Sequence, residues 1–187
     1  MTPGVLEAGC DEVGRGCLAG PVVAAAVILP DGYSHEWLID SKKLSEARRE
    51  EMRAVIMRDA VAWATGMCSP AEIDNINILN ASIEAMHRAL AALSVRPGAI
   101  IVDGNRFKPF ADIPHTTVVK GDATYANIAA ASIMAKTTRD HLMAALAGRY
   151  PGYGWERNVG YPTAEHLAGI ASLGLTPEHR VTFKGCK

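Results

Sequence analysis

The run Val22-Val23-Ala24-Ala25-Ala26-Val27-Ile28-Leu29 contains no polar side chain. A strand with one wet face alternates apolar and polar residues, so a strand without alternation needs cover on both faces. This constraint points to an α/β architecture with helices on either side of a sheet. Residues Val5–Glu12 read as the partner strand. Gly14, Gly16 and Gly20-Pro21 lie between the two, so a hairpin with a long loop is expected, and Pro30-Asp31-Gly32 closes the unit as a turn.

The remaining elements follow in order. Met52, Val55 and Ile56 recur at helical spacing behind a Ser45 cap, and Ala60–Met67 reads as a third strand. Ser69-Pro70-Ala71-Glu72 is a capping box with proline at the first helical position, which predicts a short helix. A longer helix follows, with Leu79, Ile83, Met86, Leu90 and Leu93 on one stripe, and ends near Arg96-Pro97-Gly98. Ala99–Asp103 is a fourth strand ending in a carboxylate, and Thr116–Val119 a fifth, leading to Lys120-Gly121-Asp122. A helical pattern then runs to Arg149, its buried side assigned to Ile128, Ala129, Ile133, Leu142 and Leu146. Tyr150-Pro151-Gly152-Tyr153-Gly154-Trp155 reads as a loop. Thr163 starts a short helix ending near Gly174, and Thr176-Pro177 is expected to start another.

With 187 residues and 49% hydrophobic content, the chain can bury one substantial core. We expect one structural unit, residues 1–149 forming the main domain and 150–187 a small helical appendage packed on it. No apolar run approaches the roughly 20 residues that span a bilayer, and no basic segment precedes a hydrophobic signal core, so a soluble, cytoplasmic protein is expected. The four cysteines show no Cys-x-x-Cys spacing, which fits reduced, buried thiols. A formal net charge of -1 tells against nonspecific DNA binding by bulk charge. It leaves room for a nuclease, because an acidic metal site offsets basic residues elsewhere.

The chemistry concentrates in Ala8-Gly9-Cys10-Asp11-Glu12-Val13-Gly14-Arg15-Gly16. Adjacent acids suit hard cations, Arg15 suits phosphate, and the glycines let the backbone approach a ligand closely. Taken alone, the segment is as compatible with a solvated turn. Asp103 and Asp122 stand at or just past strand ends, where ligand sites of open α/β sheets gather. Individually each would pass for a turn residue or cap. Converged with Asp11 and Glu12, they would form an oxygen-only site suited to Mg²⁺ or Mn²⁺ and to two-metal displacement at phosphorus.

Cys10–Gly16, Ala19–Ala26 and Asp40-Ser41-Lys42-Lys43-Leu44-Ser45 resemble the motifs of bacterial type 2 ribonuclease H (ribonuclease HII). The likeness continues through Asn77-Ile78-Leu79, Val102-Asp103-Gly104, Lys120-Gly121-Asp122, Ala130–Lys136 with Arg139-Asp140, and Gly160-Tyr161-Pro162-Thr163, in order along nearly the whole chain. The resemblance implies a ribonuclease H-like mixed five-stranded sheet with flanking helices, and cleavage of RNA in RNA/DNA hybrids. It further implies nicking 5′ of a single ribonucleotide in duplex DNA, leaving 3′-hydroxyl and 5′-phosphate ends, as in ribonucleotide excision repair. By the same resemblance, Asp11, Glu12, Asp103 and Asp122 are the catalytic metal-binding acids. Gly14, Arg15 and Gly16 would read the ribose 2′-hydroxyl and adjoining phosphates, and Tyr161 would pack on the next deoxyribose. Asn77, Lys42, Lys43, Lys120, Lys136 and Arg180 are secondary candidates for phosphate or strand contacts.

Val159 departs from the pattern, since many members carry lysine there, so a phosphate contact is either missing or moved to Arg157. The tail after Phe183 offers no long extension to dock a sliding clamp, and a monomer is expected. Two rival readings are another metal-dependent nuclease of the same fold and a noncatalytic hybrid-binding module. The first has no need of Gly14-Arg15-Gly16 with Tyr161, and the second no need of four acids. One geometric difficulty stands. Neighbouring residues on a regular strand face opposite ways, so either the strand ends or bulges at Glu12 or its side chain reaches around the strand end. With Gly14 and Gly16 freeing the backbone that follows, regular pairing is expected to break down within a few residues of Glu12. All four acids should border one cavity, splayed and with Glu12 turned aside when no metal is bound.

Overall fold

The computed structural model describes residues 4–38 and 44–187. Five strands, β1 (Glu7–Val13), β2 (Val22–Ile28), β3 (Ala62–Cys68), β4 (Ala99–Asp103) and β5 (His115–Val118), form one sheet in the order β3-β2-β1-β4-β5. The β1–β2 and β2–β3 pairs are antiparallel, whereas β1–β4 and β4–β5 are parallel. Helices α1 (Glu46–Asp59), α2 (Pro70–Ala91), α3 (Ala126–Arg149), α4 (Trp155–Asn158) and α5 (Ala164–Leu173) complete the fold, which is the expected mixed five-stranded sheet with flanking helices.

Every residue of β2 is buried, as the unbroken apolar run requires. Ala24 and Ala26 point to the core beneath α2, with Ala85, Met86 and Ala89. Ala25 and Val27 point to the opposite core, with Met52, Ile56, Ile133 and Met134 of α1 and α3. Alanine predominates because the helices lie close to the sheet. A Cβ at Gly9 would meet the Asn127 backbone at 2.2 Å, and one at Gly66 the Ala85 carbonyl at 2.3 Å. Larger residues at these positions would force off-rotamer side chains and backbone shifts.

The Ser69–Glu72 capping box is present with Pro70 behind it, and Ser45 caps α1. Asn77 divides α2 at a kink (φ 66°, ψ 162°), and its side-chain oxygen accepts from Asn80 N at 3.1 Å, recapping the second half. The expected short and long helices are these two halves.

Some expectations are corrected. Trp155 opens the four-residue α4 instead of ending a loop. No helix follows Thr176-Pro177; a turn there leads into a bridge between His179 and Ala19. That segment is held by inter-segment bonds, Gly20 N to the Glu178 carbonyl and Arg180 N to the Leu18 carbonyl, both 2.8 Å, which helical pairing would forfeit. On α3 the buried residue of the last turns is Met143, against Tyr153 and Trp155, while Leu142 and Leu146 are half-buried. All four cysteines are free and buried, and among the described residues no helix is long and apolar enough to cross a membrane.

Candidate active site

The site lies at the carboxyl ends of β1 and β4. Pairing between these strands stops at Cys10↔Val102, one residue short of Asp11 and Asp103, so the two acids flank the point where the ladder opens. On the other edge β1 stays regular through Glu12↔Ala24 and Val13↔Val23. The strand has no break or bulge at Glu12 itself, but it ends one residue later at Val13, so regular pairing is lost within a few residues of Glu12 as expected. Asp11 points to the α3 side and Glu12 to the α2 side, and both reach the strand ends.

A cavity of about 320 Å³ is bordered by Asp11, Glu12, Asp103, Ser132, Lys136 and Arg49. A second, of about 210 Å³ on the α2 side, is bordered by Glu12, Asp103, Arg15, Ser82 and Arg106. Glu12 and Asp103 thus front both. Asp122 lies in a single 3-10 turn (Gly121–Ala123) just ahead of α3 and is buried. The turn is tied to the site by Gly121 N, which donates to Asp103 Oδ1 at 2.7 Å. The expectation that all four acids border one cavity holds for three; Asp122 is not part of this lining.

Burial raises the Asp11 carboxyl to about 8, opposed by a hydrogen bond from the Ser132 hydroxyl and reinforced by the charges of Glu12 and Asp103. Glu12 is also raised by burial, against the pull of Arg15. Arg15 Nη1 donates to Glu12 Oε1 at 2.9 Å, which turns Glu12 away from Asp11. Among the described residues no cluster of three or more His, Cys, Asp or Glu side chains is gathered tightly enough to hold a metal ion. The donor chemistry nevertheless fits a hard cation. The acids supply only oxygen, and their buried, mutually repelling charges are what a divalent ion relieves.

Beside the acids, Gly14 has φ +93°, and a Cβ there would lie 2.2 Å from Arg139 Nε. A Cβ at Gly16 would find the Tyr161 ring at 3.8 Å, so the glycine loop and the half-exposed tyrosine are neighbours. Two buried arginines latch this loop. Arg139 donates to the carbonyls of Pro21, Val159 and Ala19, and Arg180 to those of Gly20 and Arg15. Arg180 is therefore turned inward and is not a surface phosphate contact. Burial lowers its pKa to about 10.

Among the other candidates, Lys136 binds Asp140 at the cavity edge, Lys120 is exposed, and Asn77 is exposed at the α2 kink. Lys42 and Lys43 lie outside the described residues. Arg157, one of the two alternatives for the charge missing at 159, is ion-paired with Glu156 and Glu165. Sequence reasoning assigned no role to Ser132, Arg49 or the loop-latching function of Arg139. Ser132, Lys136 and Arg139 recur at helical spacing along an otherwise alanine-rich stretch, a signal that could have placed them on one face.

A family model described as Ribonuclease HII matches residues 8–186. The chain is 62% identical over 179 residues to ribonuclease HII of Bacteroides fragilis, covering 96% of this chain and 89% of that protein. It is similar to the crystal structure of ribonuclease H2 from Pyrococcus horikoshii OT3, with TM-score 0.79 and 27% identity over 96% of this chain and 94% of that one. It is similar to the same degree to the ribonuclease HII of a PCNA complex from Archaeoglobus fulgidus, with TM-score 0.79, 27% identity and 96% of each chain covered.

Proposed function

This chain belongs to the ribonuclease HII family and is a hydrolytic endoribonuclease; from that premise we propose that it cleaves the RNA strand of RNA/DNA hybrids and nicks 5′ of single ribonucleotides in duplex DNA. The observation that carries the reading is the juxtaposition of Asp11, Glu12 and Asp103 around one cavity with the Gly14–Gly16 loop and Tyr161 beside it.

In this reading Asp11, Glu12, Asp103 and Asp122 hold Mg²⁺ or Mn²⁺, which when bound supplies an activated water and stabilises the departing 3′-oxygen. The chain's own residues do the rest. The Ser132 hydroxyl orients Asp11. Arg15, on a loop latched by Arg139 and Arg180, moves from Glu12 to a substrate phosphate. The backbone of Gly14 and Gly16 approaches the ribose and reads its 2′-hydroxyl, the group that separates RNA from DNA. Tyr161 packs on the following deoxyribose, where a second hydroxyl fits poorly. All of these residues come from one chain, so a monomer suffices.

The test compares three duplexes of one sequence: all DNA, DNA with one ribonucleotide, and RNA/DNA hybrid. Cleavage of the last two only, with 3′-hydroxyl products, dependence on Mg²⁺ or Mn²⁺ and loss in Asp11→Asn, is expected. Activity in excess chelator would overturn the metal reading. Tyr161→Ala should depress the single-ribonucleotide reaction more than the hybrid reaction, since only the former places a deoxyribose beside the ring.

A further inference from the structure

Behind Tyr161 runs a chain of hydrogen bonds whose directions can be deduced. Thr176 N–H donates to His179 Nδ1 at 2.9 Å, so that nitrogen carries no proton in the neutral ring, and the proton sits on Nε2. His179 Nε2 lies 3.1 Å from His166 Nε2 and donates to it. Trp155 Nε1–H, which can only donate, points at the same atom from 3.0 Å. His166 Nε2 therefore accepts both, and its own proton is on Nδ1, 3.0 Å from the Tyr161 carbonyl. The two imidazoles are 0% and 2% exposed and sit among the rings of Tyr153 and Trp155.

The carbonyl at the end of this chain belongs to the residue whose ring meets the glycine loop. Val159 and Gly160, just ahead of it, both have left-handed backbone (φ 43° and 86°), so the approach to Tyr161 is strained and needs external support. Tyr161 N donates to the Asn158 carbonyl at 2.9 Å, and the Tyr161 carbonyl also accepts from Thr163 N at 2.8 Å. His166 adds the contact that links this turn to the packed interior.

We infer that His166 and His179 are positioning residues for substrate recognition, holding the Tyr161 backbone as a neutral imidazole pair so that its ring stands against Gly16. The inference rests on the reading that Tyr161 packs on the deoxyribose at the junction. Neutrality follows from the geometry. An imidazolium at His166 would turn Nε2–H toward two donors, and one at His179 would turn Nδ1–H toward Thr176 N–H. Nearby charges do not favour protonation. Glu165 is paired with Arg157, Glu178 borders the groove lined by Pro21 and Arg88, Arg180 is directed to the Arg15 and Gly20 carbonyls, and the Tyr153 hydroxyl donates to the Gly174 carbonyl. Burial lowers both histidines, His179 to about 4.

Two measurements on the full chain test this. Nitrogen-15 spectra should show His166 protonated on Nδ1 only and His179 on Nε2 only, unchanged from pH 8 to pH 6; the opposite tautomer on His166, or a charged ring at pH 6, would overturn the network. Cleavage of a single-ribonucleotide duplex and of a hybrid should then be compared for His166→Phe, His179→Phe and Tyr161→Ala. Each histidine variant should lower the ratio of the two rates by about tenfold, within the range that misplacing a binding group by an ångström produces. Adding either histidine change to Tyr161→Ala should lower the ratio no further than Tyr161→Ala alone. His166→Asn, whose amide can replace Nδ1–H, should recover part of the loss and serves as the comparison if the phenylalanine variant does not fold. If Tyr161→Ala lowers the ratio and the histidine variants lower both reactions equally, the inference fails alone. If Tyr161→Ala leaves the ratio unchanged, the reading of Tyr161 fails first and positioning through it fails with it.

Discussion

Arg15 Nη1 stands 2.9 Å from Glu12 Oε1, so the cation of the glycine loop and the second acid of the opening motif neutralise each other. A divalent ion that uses Glu12 has to compete with this pair. A pair with one exposed partner is worth roughly 0.2–1 kcal/mol. Arg15→Ala should therefore tighten Mn²⁺ binding, measured by calorimetry without nucleic acid, by up to about fivefold, while weakening duplex binding. Unchanged or weaker Mn²⁺ binding would show that Glu12 is not a ligand or that Arg15 does not compete for it.

Asp11 is expected to cost stability in the metal-free protein. Its carboxyl is raised to about 8 when folded, from 3.8, so its folded-state advantage is complete below about pH 4 and is lost as pH rises through 8. Asn keeps the shape without the charge. In excess chelator, Asp11→Asn should melt above the parent at pH 8 and by a smaller margin at pH 5, although it is inactive at both. A margin that shrinks as pH rises would contradict the assigned cause.

Gly14 and Gly16 should respond differently to alanine. At Gly14 the added Cβ meets Arg139 and the backbone is left-handed, which together cost at least ~1–3 kcal/mol. At Gly16 the Cβ makes an ordinary contact with Tyr161. Thermal melts should show Gly14→Ala well below the parent and Gly16→Ala near it. Loss of cleavage in the latter then reports on approach to the substrate.

Arg139→Leu removes the donor shared by the carbonyls of Ala19, Pro21 and Val159. Each buried group left unsatisfied costs about 1–3 kcal/mol, so a loss of several kcal/mol is expected. For a chain of this size, each kcal/mol corresponds to roughly 2–4 °C in Tm. Arg15→Ala removes a half-exposed side chain and breaks only its one bond to Glu12, so it should lower Tm far less. Equal melting of the two variants would show that the latch carries no load.

Local physics made much of the fold legible. The unalternating Val22–Leu29 run demanded a doubly covered strand, the Ser69–Glu72 box marked a helix start, and the opening motif with Tyr161 pointed to a family whose fold the chain adopts. Each signal lies within a few residues or in an ordered set of motifs. The expected helix at Thr176 failed because a proline behind a capping residue says nothing about a competing partner elsewhere. Here that partner is Cys17–Gly20, more than 150 positions away in sequence.

Tertiary structure alone decided how the site is arranged. Sequence alternation required Asp11 and Glu12 to face opposite ways, but only the end of the β1–β4 ladder at Cys10↔Val102 shows how both reach one cavity without a break in β1. Likewise, no spacing rule could show that Arg180 turns inward onto carbonyls near residue 20 or that His166 and His179 meet behind Tyr161. The physical reason is the same in each case. Propensities, caps and apolar periods act over one or two turns of chain, whereas the direction of a buried charge or proton is set by whichever distant group can satisfy it in the absence of water.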